Sequence, residues 1–172
     1  MGWFGAGSTA GRPREFHPAR RLCRLESRNR SNEPGSRPLQ QYAALPYVET
    51  PEGPLVLLVT SRDTGRWVIP KGWAKPKLTP RELAAREALE EAGITGDMGI
   101  EPIGRYEYTK RLHFLSWVRA HVEVYALLVD TQAAEWPERN RRRQLWCPPG
   151  EAARLVRERG LASLLRNFAP YS

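Results

Sequence analysis

At 172 residues, with 41% hydrophobic and 27% charged side chains, the chain has the size and composition of one soluble domain with a single core, which argues against a wholly disordered or membrane-embedded polymer. Its net charge of +8 is uneven: residues 1 to 38 hold eight Arg against Glu15, Glu26 and Glu33, leaving +3 on the remainder. Such an excess suits nucleic acid, acidic membrane, polyphosphate or plain solvent equally, so charge alone selects no partner. No apolar run approaches the roughly 18 residues of a membrane span, and the start lacks the apolar stretch of a secretory signal. The expectation is a cytoplasmic protein with no membrane partner. Cys23 and Cys147 have neither CxxC spacing nor the density of a disulfide-stapled domain and read as free thiols.

Residues 1 to 38 mix Gly, Pro, Ser, Asn and Arg with no helical or strand periodicity and are expected to form a disordered basic tail ahead of a domain at 39 to 172. An organelle-targeting segment or an RNA-contacting arm is an alternative, weakened by the three glutamates and the scattered prolines. From Gln41 the pattern changes. Tyr42 to Tyr47 and Leu55 to Thr60 are apolar runs of strand length around the turn-like Glu52-Gly53-Pro54, and predict a hairpin. Trp67 to Ile69 predicts a short strand before Pro70-Lys71-Gly72, after which a loop with Lys75, Pro76 and Lys77 leads into a helix.

That helix has explicit start and stop signals. Thr79, Pro80 and Glu82 supply an N-cap, a proline at the first helical position and a capping box, and Gly93 marks the C-terminal end. Leu83, Ala84, Ala88 and Leu89 are its expected apolar surface, and no residue from Arg81 to Ala92 is β-branched. Ile103 to Tyr108, Val118 to Val129 and Leu145 to Cys147 follow as strands, then Pro149 to Arg159 and Leu161 to Phe168 as helices parted at Gly160. Strands and helices interleave without a repeating βαβ unit, which predicts an α/β fold with a mixed sheet covered by helices.

The segment that carries chemistry is Arg86-Glu87-Ala88-Leu89-Glu90-Glu91-Ala92-Gly93-Ile94. Carboxylates at i, i+3 and i+4 gather on one helical face, and such crowding calls for a hard divalent cation with oxygen ligands. Arg86, four residues before Glu90, is placed to hold that side chain. A bare ExxEE pattern is often only surface decoration. Here it follows Gly72 by a fixed interval, and the whole stretch resembles the Nudix box: glycine, five residues, Glu, seven residues, then Arg-Glu-apolar-any-Glu-Glu-any-Gly-apolar. Gly72, Arg86, Glu87, Glu90, Glu91, Gly93 and Ile94 occupy matching places, and Ala88 is a permissive match. The first glutamate of the box falls on Leu78, which neither binds metal nor accepts a proton.

The resemblance implies an α/β/α sandwich that holds magnesium (or manganese) against a substrate of the form nucleoside diphosphate linked to X. It implies metal ligation by Glu87, Glu91 and Glu90, with Glu90 alternatively the catalytic base, and by the backbone carbonyl of Gly72. Glu101, Glu107, Glu123 and Glu135 are candidates to replace the missing box glutamate. The stretch Thr60 to Gly72 is similar to the diphosphoinositol polyphosphate and diadenosine polyphosphate hydrolases, as is Glu135-Trp136-Pro137-Glu138 followed by Arg141-Arg142-Arg143 and Trp146. The partner implied is a phosphate-rich small molecule, bound by Arg62, Lys71, Arg142 and Arg143 through charge-assisted hydrogen bonds. RNA is a less favoured partner, and a binding module without catalysis is the alternative in another class. Trp67 reads as core rather than a base-stacking platform, and His113 and His121 lack zinc spacing.

Overall fold

The computed structural model describes residues 39–113 and 116–170. The expected basic tail and Cys23 lie outside them. The elements are β1 (Leu39–Val48), β2 (Leu55–Thr60), β3 (Trp67–Val68), β4 (Lys71–Trp73), α1 (Pro80–Ala92), β5 (Ile94–Met98), β6 (Gly104–His113), β7 (Ser116–Gln132), β8 (Gln144–Cys147), α2 (Pro149–Leu155) and α3 (Arg159–Arg166), with one 3-10 turn at Arg139–Arg141. No helix among the described residues is long and apolar enough to cross a membrane.

One mixed sheet runs β3-β2-β1-β7-β5, with β4 paired to β1, β6 to β7 and β8 to β2. β1 lies parallel to β7 from Leu39 opposite Ala120 to Tyr47 opposite Leu128, whereas its hairpin pairing with β2 covers only Tyr47 opposite Val56 and Val48 opposite Leu55. The apolar runs of β1, β2 and β7 are continuous because both sheet faces are covered. Alternate residues serve two cores: Ala43, Leu45, Val56, Leu58, Val122 and Val124 pack beneath α2 and α3, while Ala44, Leu57, Val59, Tyr125 and Leu127 pack against α1. Burying each of the larger side chains contributes about 1.5 to 3 kcal/mol. Helices on both faces give the expected sandwich.

The capping box is present: Thr79 Oγ1 accepts from the Glu82 N–H at 3.3 Å, and Glu82 Oε2 accepts from the Thr79 N–H at 2.8 Å. The latter bond holds the Glu82 carboxyl below its ordinary range. Gly93 caps the far end at φ +70. The inward face departs from expectation in one respect. Leu83, Ala84, Ala88 and Ala92 are buried, Leu89 is exposed, and Glu87 and Glu91 take places on the buried face.

Three further expectations are corrected. β4 and β5 form where the sequence pattern predicted no strand, because backbone pairing to β1 and β7 outweighs weak local propensity. The second break between helices falls at Val156, whose extended backbone ends α2, while Gly160 lies inside α3. A Cβ at Gly160 would stand 2.6 Å from the Tyr106 Cβ, so glycine there permits close approach of α3 to β6 rather than a stop.

Candidate active site

A cleft of about 280 Å³ opens where β4, α1 and the segment after the 3-10 turn converge. Five carboxylates line it, Asp63, Glu87, Glu90, Glu91 and Glu138, and five cations, Arg62, Lys71, Lys75, Lys110 and Arg142. Gln41, Gly72, Trp73 and Tyr108 complete much of the wall. α1 delivers the three adjacent glutamates by its 3.6-residue period, and β4 brings Lys71 and Gly72 across from Ala43 and Tyr42 of β1.

Each of these three carboxylates is closed by a cation of its own. Lys75 Nζ donates to Glu87 Oε1 at 3.1 Å, Arg86 Nε to Glu90 Oε1 at 2.5 Å, and Arg142 Nη2 to Glu91 Oε1. Glu91 Oε2 also accepts from the Lys71 backbone N–H at 3.3 Å. Arg142 further donates to Glu138 from Nε and to the Thr60 carbonyl from Nη1 at 2.8 Å, so each of its three nitrogens is engaged. Burial pushes the Glu91 carboxyl up to about 7 despite Lys71 and Arg142, and burial pushes the Lys71 ammonium down to about 8 despite Glu91 and Glu158. Both shifts have one cause, the poor solvation of charge at the floor of the cleft.

Among the described residues no three His, Cys, Asp or Glu side chains stand together as a finished metal cluster. The donor set nevertheless fits a hard divalent ion. A Cβ at Gly72 would lie 2.1 Å from Glu87 Oε1, so this carboxylate and the Gly72 backbone share a space that only glycine leaves open. The cations on Glu87 and Glu90 are surface side chains, Lys75 at 40% and Arg86 at 52% exposure, and rotation of either frees its carboxylate. Glu91 is the most restrained of the three, since Arg142 is only 5% exposed.

A match to the NUDIX domain model spans residues 39–168. The chain belongs to the Nudix family. Among its relatives, Nudix hydrolase 16, mitochondrial, of Arabidopsis thaliana is 35% identical over 105 residues, covering 59% of this chain and 58% of that protein. Diphosphoinositol polyphosphate phosphohydrolase 2 of Rattus norvegicus is 31% identical over 96 residues, 56% of this chain and 49% of that one. The chain thus spans little more than half the length of the first of these Nudix relatives and about half of the second. In structure it resembles the C. elegans Ap4A hydrolase, with a TM-score of 0.56 at 20% identity over 76% of this chain and 95% of that one, which supports the shared Nudix fold.

Of the residues singled out in the Nudix box, Gly72, Glu87, Glu90 and Glu91 all line the cleft, and so do Arg62, Lys71 and Arg142 outside it. Arg143 does not line it. Its backbone N–H donates to Thr60 Oγ1 at 2.9 Å and its guanidinium lies 5.5 Å over the Trp67 ring, because neighbours in extended chain point to opposite sides. Arg62, more than half exposed, pairs with Glu138 at 3.1 Å. Trp67 packs against the core beneath α2 and α3 as expected.

None of the expected candidates to replace the glutamate absent at Leu78 lines the cleft. Glu101, Glu107, Glu123 and Glu135 lie off the cleft, with Glu123 accepting from Arg105 and Tyr125 and Glu135 pairing with Arg139. The additional carboxylates in the cleft are Glu138 and Asp63, which the sequence reading missed. Only the i,i+4 spacing of Glu138 and Arg142 hinted at the former.

Proposed function

We propose that the protein is a divalent-metal-dependent hydrolase that cleaves a phosphoanhydride bond in a phosphate-rich small molecule, with magnesium or manganese as the ion. A diphosphoinositol polyphosphate or a dinucleoside polyphosphate is the substrate class this reading favours. One observation carries it: Glu87, Glu90, Glu91 and Gly72 face a single cleft together with Lys71. The names of the rat and worm relatives point to the same two classes.

A divalent ion bound there would neutralise phosphate charge and acidify a water for in-line attack. Glu87 with the Gly72 carbonyl would hold it, and Glu91 adds the lone pairs that Arg142 and the Lys71 N–H leave open. Five carboxylates matched by five cations leave the cleft formally neutral before any ion enters. A bound cation therefore tips it toward polyanions. Glu90 is the catalytic base of this reading, since it is the most exposed of the three and is held only by Arg86. A positioned base contributes about 10² to 10⁴ in rate. Lys71, Arg62 and Arg142 are the substrate-side cations, with Arg142 acting chiefly to hold Glu91 and Glu138.

The test is phosphate or nucleotide release from a panel of both substrate classes with magnesium, comparing the parent with Glu90→Gln. Turnover that drops by about two orders of magnitude or more in the variant supports the proposal. A parent inert on the whole panel, or a variant equal to it, defeats the proposal.

A second reading is a Nudix-fold module that binds nucleotide or RNA without cleaving it. The closure of each carboxylate by a cation, and Leu78 in the box, favour it. The ADP-ribose complex of the Shewanella oneidensis NrtR Nudix domain is a fold-level precedent for ligand binding. Such a module binds ligand equally well with magnesium or with chelator, whereas the hydrolase does not. A cytoplasmic location belongs to the same proposal. A fluorescent fusion of the full chain tests it, and organelle labelling, as the mitochondrial relative's name would suggest, contradicts it.

A further inference from the structure

Gln41 is 3% exposed, yet it lines the cleft and has no part in the chemistry proposed above. In β1 it stands opposite Trp73 of β4, and two residues along Ala43 stands opposite Lys71, so Gln41, Lys71 and Trp73 emerge on one face of the sheet. Gly72 emerges on the other face, toward Glu87. The cleft thus has a carboxylate side on α1 and a second side across the edge of the β1–β4 ladder.

On that second side the amide of Gln41 is held in one orientation. Tyr108 Oη donates to Gln41 Oε1 at 2.8 Å. Burial pushes the Tyr108 hydroxyl up to about 12, so it keeps its proton and remains a donor. Its ring is backed by the Arg66 guanidinium, 5.5 Å from the ring centroid, which Glu158 pairs at 3.0 Å. With the carbonyl end committed to Tyr108, the NH2 end has no hydrogen-bond partner among the described residues, and it is not one of the fully enclosed polar atoms, so it opens onto the cleft. A donor fixed in one orientation and open to the cleft is free to bind a ligand that accepts.

Its surroundings say what kind of ligand. Lys71 Nζ, beside it, has no hydrogen bond or ion pair among the described residues, and Lys110 Nζ lies 5.6 Å over the Trp73 ring. Gln41 Nε2, Lys71 and Lys110 bring donors and two positive charges to one place. A sugar hydroxyl or a nucleobase edge is neutral and gains little from two ammonium groups, whereas a phosphate is an anion that offers only acceptors. We propose that Gln41 Nε2, with Lys71 and Lys110, forms an anchoring site for a phosphate group of the substrate other than the one attacked. Tyr108 is its positioning residue. The place of this site in a reaction rests on the hydrolase reading, but its affinity for phosphate does not.

The experiment measures calorimetric binding of inorganic tripolyphosphate to the full chain in excess EDTA, for the parent, Gln41→Met, Gln41→Glu and Tyr108→Phe, each checked for native circular dichroism. Gln41→Met removes the donor at similar volume and is expected to weaken binding about tenfold, as for one hydrogen bond to a charged group. Gln41→Glu weakens it further by repulsion, and Tyr108→Phe falls between Gln41→Met and the parent because its amide is free to turn. If Gln41→Glu fails to fold, Gln41→Met decides. A parent that binds no tripolyphosphate, or a folded Gln41→Met within twofold of the parent, overturns the site. Weakened binding in a protein that hydrolyses nothing keeps the site and removes the hydrolase reading, while hydrolysis with unchanged binding does the reverse.

Discussion

Glu91 of α1 and Arg142, just past the 3-10 turn, form an ion pair in which less than a tenth of either side chain reaches solvent. The pair ties the carboxylate helix to the Glu138 segment and to the Thr60 carbonyl at the end of β2. Removing one partner strands a buried charge, which typically destabilises by about 3 kcal/mol. Arg142→Met should therefore lower the unfolding free energy by that amount, read as a lower urea midpoint with little change in slope. Arg142→Met combined with Glu91→Leu should be less damaging than the two single changes added together, since no charge is left behind. A single variant within about 1 kcal/mol of the parent contradicts this, given the range observed for broken buried pairs.

Gly72→Ala separates fold from function. The three atoms nearest the new Cβ all belong to the Glu87 carboxylate, at 2.1 to 2.8 Å, so the clash falls on a side-chain end rather than on backbone. Stability is expected to stay within about 1 kcal/mol of the parent, because alanine also restricts the unfolded chain. Activity should fall by about 10², the penalty of moving a reacting group by roughly 1 Å. Thermal melting and turnover on the same preparation check both halves.

Gly93→Ala should damage stability through two additive causes. Its φ of +70 is a left-handed conformation that disfavours a Cβ by about 1 to 2 kcal/mol, and the Cβ would also lie 2.6 Å from the Trp136 ring. Gly65 has φ +63 with nothing within 4 Å, so Gly65→Ala isolates the backbone share. Denaturant midpoints should show the larger loss at Gly93, and equal losses would mean that Trp136 yields freely.

The reach of the sequence was set by how local each determinant is. α1 was legible because Thr79, Pro80, Glu82 and Gly93 act within one turn of the backbone they terminate. β5 was not, since Ile94 to Met98 contains Gly96 and Asp97 and pairs with β7 across a bulge at Thr95 and Gly96. A Cβ at Gly96 would stand 1.9 Å from the Leu128 carbonyl, so the glycine marks close strand approach rather than a turn. In the site, the box glutamates share one helix face and could be read directly. Glu138, Asp63 and Gln41 enter the cleft from separate segments, and only the fold brings them together. Arg142 and Arg143 look alike in sequence, but their opposite directions depend on the extended chain between them and Thr60.

A metal-dependent hydrolase requires that the Glu87, Glu90 and Glu91 carboxylates of α1 take up a divalent ion. Manganese binding followed by electron paramagnetic resonance, on the parent and on Glu87→Gln, measures this without any substrate. The parent should bind manganese saturably, magnesium should compete, and Glu87→Gln should weaken binding at least tenfold, within the range seen when a buried charged partner is lost. A parent with no saturable site, or a Glu87→Gln variant that binds as tightly, would contradict the metal-dependent hydrolase.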